Sequence, residues 1–202
     1  GGYKTLILSK EGDEDDINAA KSDLAKHNVG KNDFVIGLAA SKRTPYTLGA
    51  LVYAKSKKAA TCFISCNSIE NDELELLGSF MDFIIQLPVG AEVITGSTRM
   101  KSGTAQKMAL NLISTTAMVL LGKTFGNLMV DLQVKSDKLA ARSRKILMNL
   151  FNIDVGEAES LLKKSGGSVK TAVVIKKFDC SKSAAIQKLK SAGGFIRRIT
   201  DT

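Results

Sequence analysis

The sequence predicts an α/β protein in which a parallel sheet flanked by helices is followed by a small C-terminal bundle of helices. Three observations carry this. Short, almost wholly apolar runs alternate with helical patterns, as in buried strands joined by helical crossovers. Two of these runs lead into turns rich in hydroxyls, the local design found at the carboxyl edge of such sheets. From Asp137 onward the chain shows only short helical periodicities punctuated by Asp and Ser.

Residues 1–10 have a helical look through Tyr3, Leu6, Ile7 and Leu8. An acidic turn, Glu11 to Asp16, then leads into an Asp16-capped helix that runs to His27. Charge runs of this kind are usually solvated, but one of these carboxylates could also serve as a general acid or base. The run Asn32–Ala40 is a strand of the buried parallel type. It ends in Ser41-Lys42-Arg43-Thr44-Pro45-Tyr46, and a helix follows to about Ser56 with Pro45 in its first turn. Strand, hydroxyl-rich turn and helix together make a phosphate loop, because the first amides of a helix lack partners within it and its dipole favours an anion. A second strand covers Ala59–Cys66 and a short helix covers Glu73–Gly78. A third strand covers Phe80–Leu87 and is broken by Pro88. Three strands make a thin sheet for this architecture, which hints that part of it lies N-terminal to this sequence.

The stretch Thr95–Lys107, TGSTRMKSGTAQK, crowds Ser97, Thr98, Arg99 and Lys101 into the approach to another helix. It reads either as an anion site or as a helix start that Ser102 or Thr104 simply caps. The helix, about Thr104–Leu121, is apolar on nearly all sides and is expected to be a central core helix. Asn111, Ser114, Thr115 and Thr116 argue against a bilayer span, and Gly122 closes the helix. Residues 122–131 read as a tightly packed connection. A basic amphipathic helix covers Asp137–Leu150. Further helical patterns follow over Val155–Lys164, Ser168–Lys176 and Ser181–Ser191, with Asp154, Ser168 and Ser181 as N-caps, and then comes Gly193-Gly194-Phe195-Ile196. This end has the character of a ubiquitin-associated-type three-helix module.

Charge divides unevenly. Residues 1–137 carry 15 Lys+Arg against 15 Asp+Glu, so the net +9 belongs wholly to residues 138–202, with 14 against 5. A basic segment can mark a nucleic-acid surface, but scattered lysines on short helices are more often a solvated face. The absence of Trp and an aromatic content of 5% supply little for stacking bases. Three cysteines, Cys62, Cys66 and Cys180, and a single His27 argue for a reducing compartment and against a metal site. The sequence opens on Gly1-Gly2 without a leader pattern, as a fragment or a processed chain would.

Six stretches together resemble the N-acetylmuramic acid 6-phosphate etherases. They are EGDEDD (11–16), GLAASKRTPY (37–46), FISCN (63–67), AEVITGSTRMKSGTAQK (91–107), GKTFGNLMVD (122–131) and GGFIRR (193–198). The resemblance implies a sugar-isomerase (SIS) α/β domain over residues 1–135 and a helical, ubiquitin-associated-like domain over 136–202. It also implies a cytoplasmic, homodimeric lyase that needs no cofactor or metal and binds neither nucleic acid nor membrane. Such an enzyme cleaves the lactyl ether of N-acetylmuramic acid 6-phosphate in cell-wall recycling. Glu14 matches the family's base. Ser41 and Thr44 match the phosphate-contacting hydroxyls, with Arg43 in the same loop, and Ser97, Thr98, Arg99 and Lys101 match the pocket wall. The family normally has glycine where this chain has Lys42, a side chain that could crowd a phosphate or add a cation to it. Family members also carry an N-terminal portion with a first glycine-rich loop and the glutamate that protonates departing lactate. The resemblance therefore implies that this chain alone lacks the general acid. The related glucokinase regulatory proteins share the fold and bind sugar phosphates without catalysis, which leaves a non-catalytic regulator as the alternative.

Overall fold

The computed structural model describes residues 3–8, 10–132, 134 and 136–200, with the side chains of Leu6 and Thr200 left aside. Gly1, Gly2 and Lys135, where the sequence reading opens the chain and ends its first domain, lie outside the described residues. The chain divides into two compact units, Gly1–Asn111 and Leu112–Thr202.

In the first unit the apolar runs become strands β1 (Phe34–Ala39), β2 (Ala60–Ser65) and β3 (Phe83–Gln86). They are parallel in the order β1-β2-β3, with Ile36, Cys62 and Phe83 in register across the sheet. Helices α2 (Pro45–Ser56) and α3 (Asn71–Gly78) connect them. One sheet face is filled by Phe63, Ala39, Leu51, Leu77 and Met81, with Val35 and Ile84 against them. Gly37 sets how closely α2 lies on β1, since a Cβ there would stand 2.7 Å from Leu51 Cδ1 and Thr47 Cγ2. Helix α1 (Ile17–Lys26) packs on α2 in the same way, because a Cβ on Gly49 would meet Ile17 Cγ2 at 2.7 Å. As expected, Asp16 caps α1, accepting from Asn18 N and Ala19 N at 2.9 Å each. The helical look of residues 1–10 shrinks to a single 3₁₀ turn, Tyr3–Leu6.

The third strand starts three residues later than its apolar run because Asp82 is occupied otherwise. Its carboxylate accepts from Thr61 N (2.8 Å), Thr61 Oγ1 (3.0 Å) and the Lys55 ammonium, while Asp82 N donates to Thr61 Oγ1 at 3.1 Å. The Lys55 ammonium and the two Thr61 donors hold the Asp82 pKa below the usual carboxylate range. A pKa lower in the folded than in the unfolded chain adds stability above the unfolded value, about 3.9, and the gain is lost as pH falls through the folded value. Asp82→Asn should therefore lower the thermal midpoint at pH 7, and the gap to the parent should close below about pH 4. Melting curves over a pH series test this, and a gap that stays constant into acid would rule the carboxylate out as its source.

Helix α4 (Lys101–Leu120) forms where the apolar stretch predicts it. The expected core position is corrected, because among the described residues only Ser102 and Ala109 of this helix are buried. Met108, Leu112 and Leu120 are 60%, 66% and 70% exposed. Twenty helical residues span about 30 Å, while three adjacent strands are only about 10 Å across. The helix is therefore far longer than the sheet is wide. Its apolar sequence records what the helix is suited to lie against, not what the described chain places there.

In the second unit, α4 ends in a Schellman turn. Gly122, at φ 67°, donates to Val119 O at 2.9 Å and Lys123 N donates to Met118 O at 3.1 Å. A small antiparallel hairpin, β4 (Thr124–Phe125) and β5 (Leu128–Met129), makes the tight connection. Helices α5 (Asp137–Phe151), α6 (Val155–Ser165), α7 (Val169–Phe178), α8 (Lys182–Ser191) and α9 (Ile196–Thr200) follow. Asp154, Ser168 and Ser181 cap α6, α7 and α8, accepting from Glu157 N, Thr171 N and Ala184 N at 2.8, 3.2 and 3.3 Å. Val130, Leu147, Val169, Val173, Val174 and Ile196 form the centre of this core. Two of the matched stretches meet here, since a Cβ on Gly122 would lie 3.0 Å from Gly194 O and from the Phe195 ring. The Lys170 ammonium bonds Gly122 O at 2.8 Å across the same junction.

Candidate functional site

The site is built at the carboxyl edge of the sheet in the first unit. Strand β1 delivers the loop Ser41–Thr44, in which Arg43 N donates to Ser41 Oγ at 3.3 Å. Thr44 is the N-cap of α2, in extended conformation, yet its hydroxyl makes no cap bond and Pro45 follows it. The start of α2 thus differs from the start of α1, whose amides Asp16 already serves. A helix start without a side-chain cap, flanked by two hydroxyls and Arg43, is suited to a phosphate. Lys42 pairs with Glu73 of α3, so its charge is held by a carboxylate.

The acidic turn lies beside α2. Gly12, at φ 87°, opens a 3₁₀ turn, Asp13–Asp15, which packs on α2. Two of its carboxylates have structural partners. Asp13 pairs with Lys10 at 2.7 Å, a hydrogen bond and charge that hold its pKa down, and Asp16 caps α1. Glu14 is exposed. A groove of about 700 Å³ runs on the α1 side of this turn, past Lys10, Asp13, Asp23 and Tyr46. Within it the Tyr46 hydroxyl donates to Asp23 at 2.9 Å. Burial, then the bond to Asp23, raises the Tyr46 pKa, while Lys26 and then Tyr46 lower that of Asp23. Neither Glu14 nor the Ser41–Thr44 loop lines this groove.

The third segment reaches the same edge through Cys66, which follows β2. Cys66 N donates to Ala40 O at 3.2 Å, and its Sγ contacts Ser102 O at 3.6 Å. The start of α4 is thereby held near the end of β1. Neither Ser102 nor Thr104 caps this helix, and Thr104 Oγ1 instead bonds back to Met100 O at 2.7 Å. The cap is Glu92, whose carboxylate accepts from Lys101 N and Ser102 N at 3.1 Å each. The Ser102 and then the Lys101 amide hold the Glu92 pKa below the usual carboxylate range. The N-terminal anion of α4 is therefore supplied by the chain itself. Lys101 Nζ is bonded to Ala91 O at 2.7 Å. Ser97 is half-buried, and Thr98 and Arg99 are exposed.

The structure thus gathers the Glu14 turn and the Ser41–Thr44 loop around α2, and ties the Ser97–Lys101 segment to the same sheet edge. Glu92 and Glu73 escaped the sequence reading as functional candidates. Glu92 stands nine residues before the first amide that it caps, too far for a local capping pattern, and nothing local marks Glu73 as the partner of Lys42. Among the described residues no group of three or more His, Cys, Asp or Glu side chains is placed to hold a metal, and no helix is long and apolar enough to cross a membrane.

A parallel sheet with hydroxyl-bearing loops and helix starts at its carboxyl edge defines an α/β domain of the phosphate-binding kind. Residues 1–55 match the family model for the glucokinase regulatory protein N-terminal SIS domain. Across the whole chain, 198 residues are 46% identical to an N-acetylmuramic acid 6-phosphate etherase of Oceanobacillus iheyensis, covering 98% of this chain and 66% of that protein. Proteins of the same name from Rhodopirellula baltica and Erwinia tasmaniensis are 44% and 45% identical over 202 and 197 residues. These alignments cover 100% and 98% of this chain, and 65% and 63% of the relatives. Over nearly its whole length the chain is thus similar to N-acetylmuramic acid 6-phosphate etherases, and it spans just under two thirds of the length of these relatives.

Proposed function

We propose that the protein is a cofactor-independent carbon–oxygen lyase that converts N-acetylmuramic acid 6-phosphate to N-acetylglucosamine 6-phosphate and D-lactate in cytoplasmic cell-wall recycling. The observation that supports this reading is the start of α2 after β1, which carries Ser41, Arg43 and Thr44 but no side-chain cap, with the Glu14 turn packed on the same helix and Ser102 in contact with Cys66 at the end of β2. In the open-chain sugar the C1 carbonyl acidifies the C2 proton. Glu14 takes that proton, the C3–O bond breaks with the electron pair leaving on lactate, and a general acid protonates the lactate oxygen. Water then adds across the C2–C3 double bond, with OH joining C3 and a proton returning to C2. Ser41, Arg43, Thr44 and the start of α2 receive the phosphate, while Ser97, Thr98, Arg99 and Lys101 form the wall around the sugar.

Residues 1–135 serve in this reading as the sugar-phosphate domain and 136–202 as a helical domain of ubiquitin-associated-like character. A homodimer is part of the proposal and is supported by the exposed apolar side chains of α4. Assay of D-lactate release from N-acetylmuramic acid 6-phosphate, with the protein at the length of its relatives, tests the activity. Sugar-phosphate binding without lactate release would favour the regulator-like alternative.

A further inference from the structure

Residues 93–100 form a loop that little but its neck holds in place. Val93 and Ile94 are 79% and 71% exposed, and Met100 is exposed as well, so no apolar side chain anchors the loop by burial. Inside it are only two short turns, Ser97 N to Ile94 O at 3.0 Å and Arg99 N to Ser97 O at 2.8 Å. At its neck the two ends hold one another reciprocally. The Glu92 side chain takes the backbone amides of Lys101 and Ser102, and the Lys101 side chain takes the backbone carbonyl of Ala91. Glu92 thus caps α4 across the loop, and the Lys101 ammonium, donating to Ala91 O, closes the neck from the other side.

We propose that Glu92 and Lys101 form a neck clamp that positions Ser97, Thr98 and Arg99 for the sugar phosphate, so that Lys101 acts through the loop rather than by touching the sugar itself. The inference rests on the etherase reading and adds to it a division of labour within the TGSTRMK stretch. An ordered loop presents its hydroxyls and its guanidinium without a further ordering cost on binding, whereas an opened loop has to be ordered by the substrate. Loss of the clamp should therefore appear in KM more than in kcat.

The test compares Glu92→Gln, Lys101→Met, Lys101→Arg and the Glu92→Gln/Lys101→Met double variant with the full-length parent. D-Lactate release and amide hydrogen exchange over residues 93–100 are both measured. Each of the Gln and Met single variants should raise KM about tenfold with kcat within about twofold, and exchange in the loop should quicken while the thermal midpoint holds. The double variant should be no worse than the poorer single one, since either change opens the same neck. Lys101→Arg should restore much of the affinity. Multiplying KM effects in the double variant, or unchanged exchange in the single ones, would overturn the clamp and return Lys101 to direct contact in the wall around the sugar. Exchange needs no substrate, so an inactive parent whose variants still exchange faster would sink the etherase reading and leave the clamp standing.

Discussion

Glu14→Gln in the full-length protein is expected to slow lactate release by about a thousandfold while sugar-phosphate affinity stays within about twofold. The substitution keeps the shape of the side chain and removes only its capacity to accept a proton. Glu14 carries the expectation because the resemblance to the etherases places the base there. Asp13 is committed to Lys10 and Asp16 to the α1 amides, so both have work in the fold. Glu14 is exposed on the same turn, beside the helix whose start is proposed to hold the phosphate. The decisive readout is exchange of the substrate's C2 proton with solvent deuterium, which reports proton abstraction separately from departure of lactate. Exchange that persists at the parent's rate would remove Glu14 from the role of base. Asp13→Asn, by contrast, should act mainly on the local turn.

Phe63→Ala should cost about 3–5 kcal/mol of unfolding free energy, the range for emptying a fully buried aromatic site. Phe63 has no exposed surface and sits at the middle of β2, between the α2 side chain of Leu51 and the cluster of Leu77 and Met81. Three strands leave few neighbours able to collapse into the space. The unit also reports on itself, because Tyr3, Tyr46 and Tyr53 are the only tyrosines, all lie in the first unit, and the chain has no Trp. Urea unfolding followed by tyrosine fluorescence should show a strongly lowered midpoint. Leu147→Ala, in the other core, should lower the circular dichroism midpoint of the second unit instead. A Phe63→Ala protein with an unchanged tyrosine transition would mean that the sheet does not depend on this face.

The strands and helices were legible because their causes are local. Apolar runs bounded by turn residues placed β1, β2 and β3, and Asp154, Ser168 and Ser181 placed the starts of α6, α7 and α8. The position of the Ser41–Thr44 loop between β1 and α2 was legible for the same reason. What could not be read depended on pairings across the chain. Glu92 reaches forward to Lys101 and Ser102, Glu73 reaches back to Lys42, and Asp82 shortens β3 by bonding Thr61. Each is one carboxylate among many in the sequence, and only the fold selects its partner. The burial of α4 was misjudged for a different reason: composition reports the affinity of a surface, and exposure depends on what stands opposite.

The meeting of Gly122 with Gly194 and Phe195 has a consequence for recombining this protein with its relatives. A side chain at 122 would need room already taken by the backbone oxygen of Gly194 and the ring of Phe195, and Lys170 is bonded to the carbonyl of Gly122 itself. The strip 122–131 and the turn 193–198 therefore form a single exchangeable part. A chimaera that transplants only the helices after residue 136 would join a donor's turn to a foreign strip, whereas a crossover placed ahead of Gly122 would carry the whole junction intact.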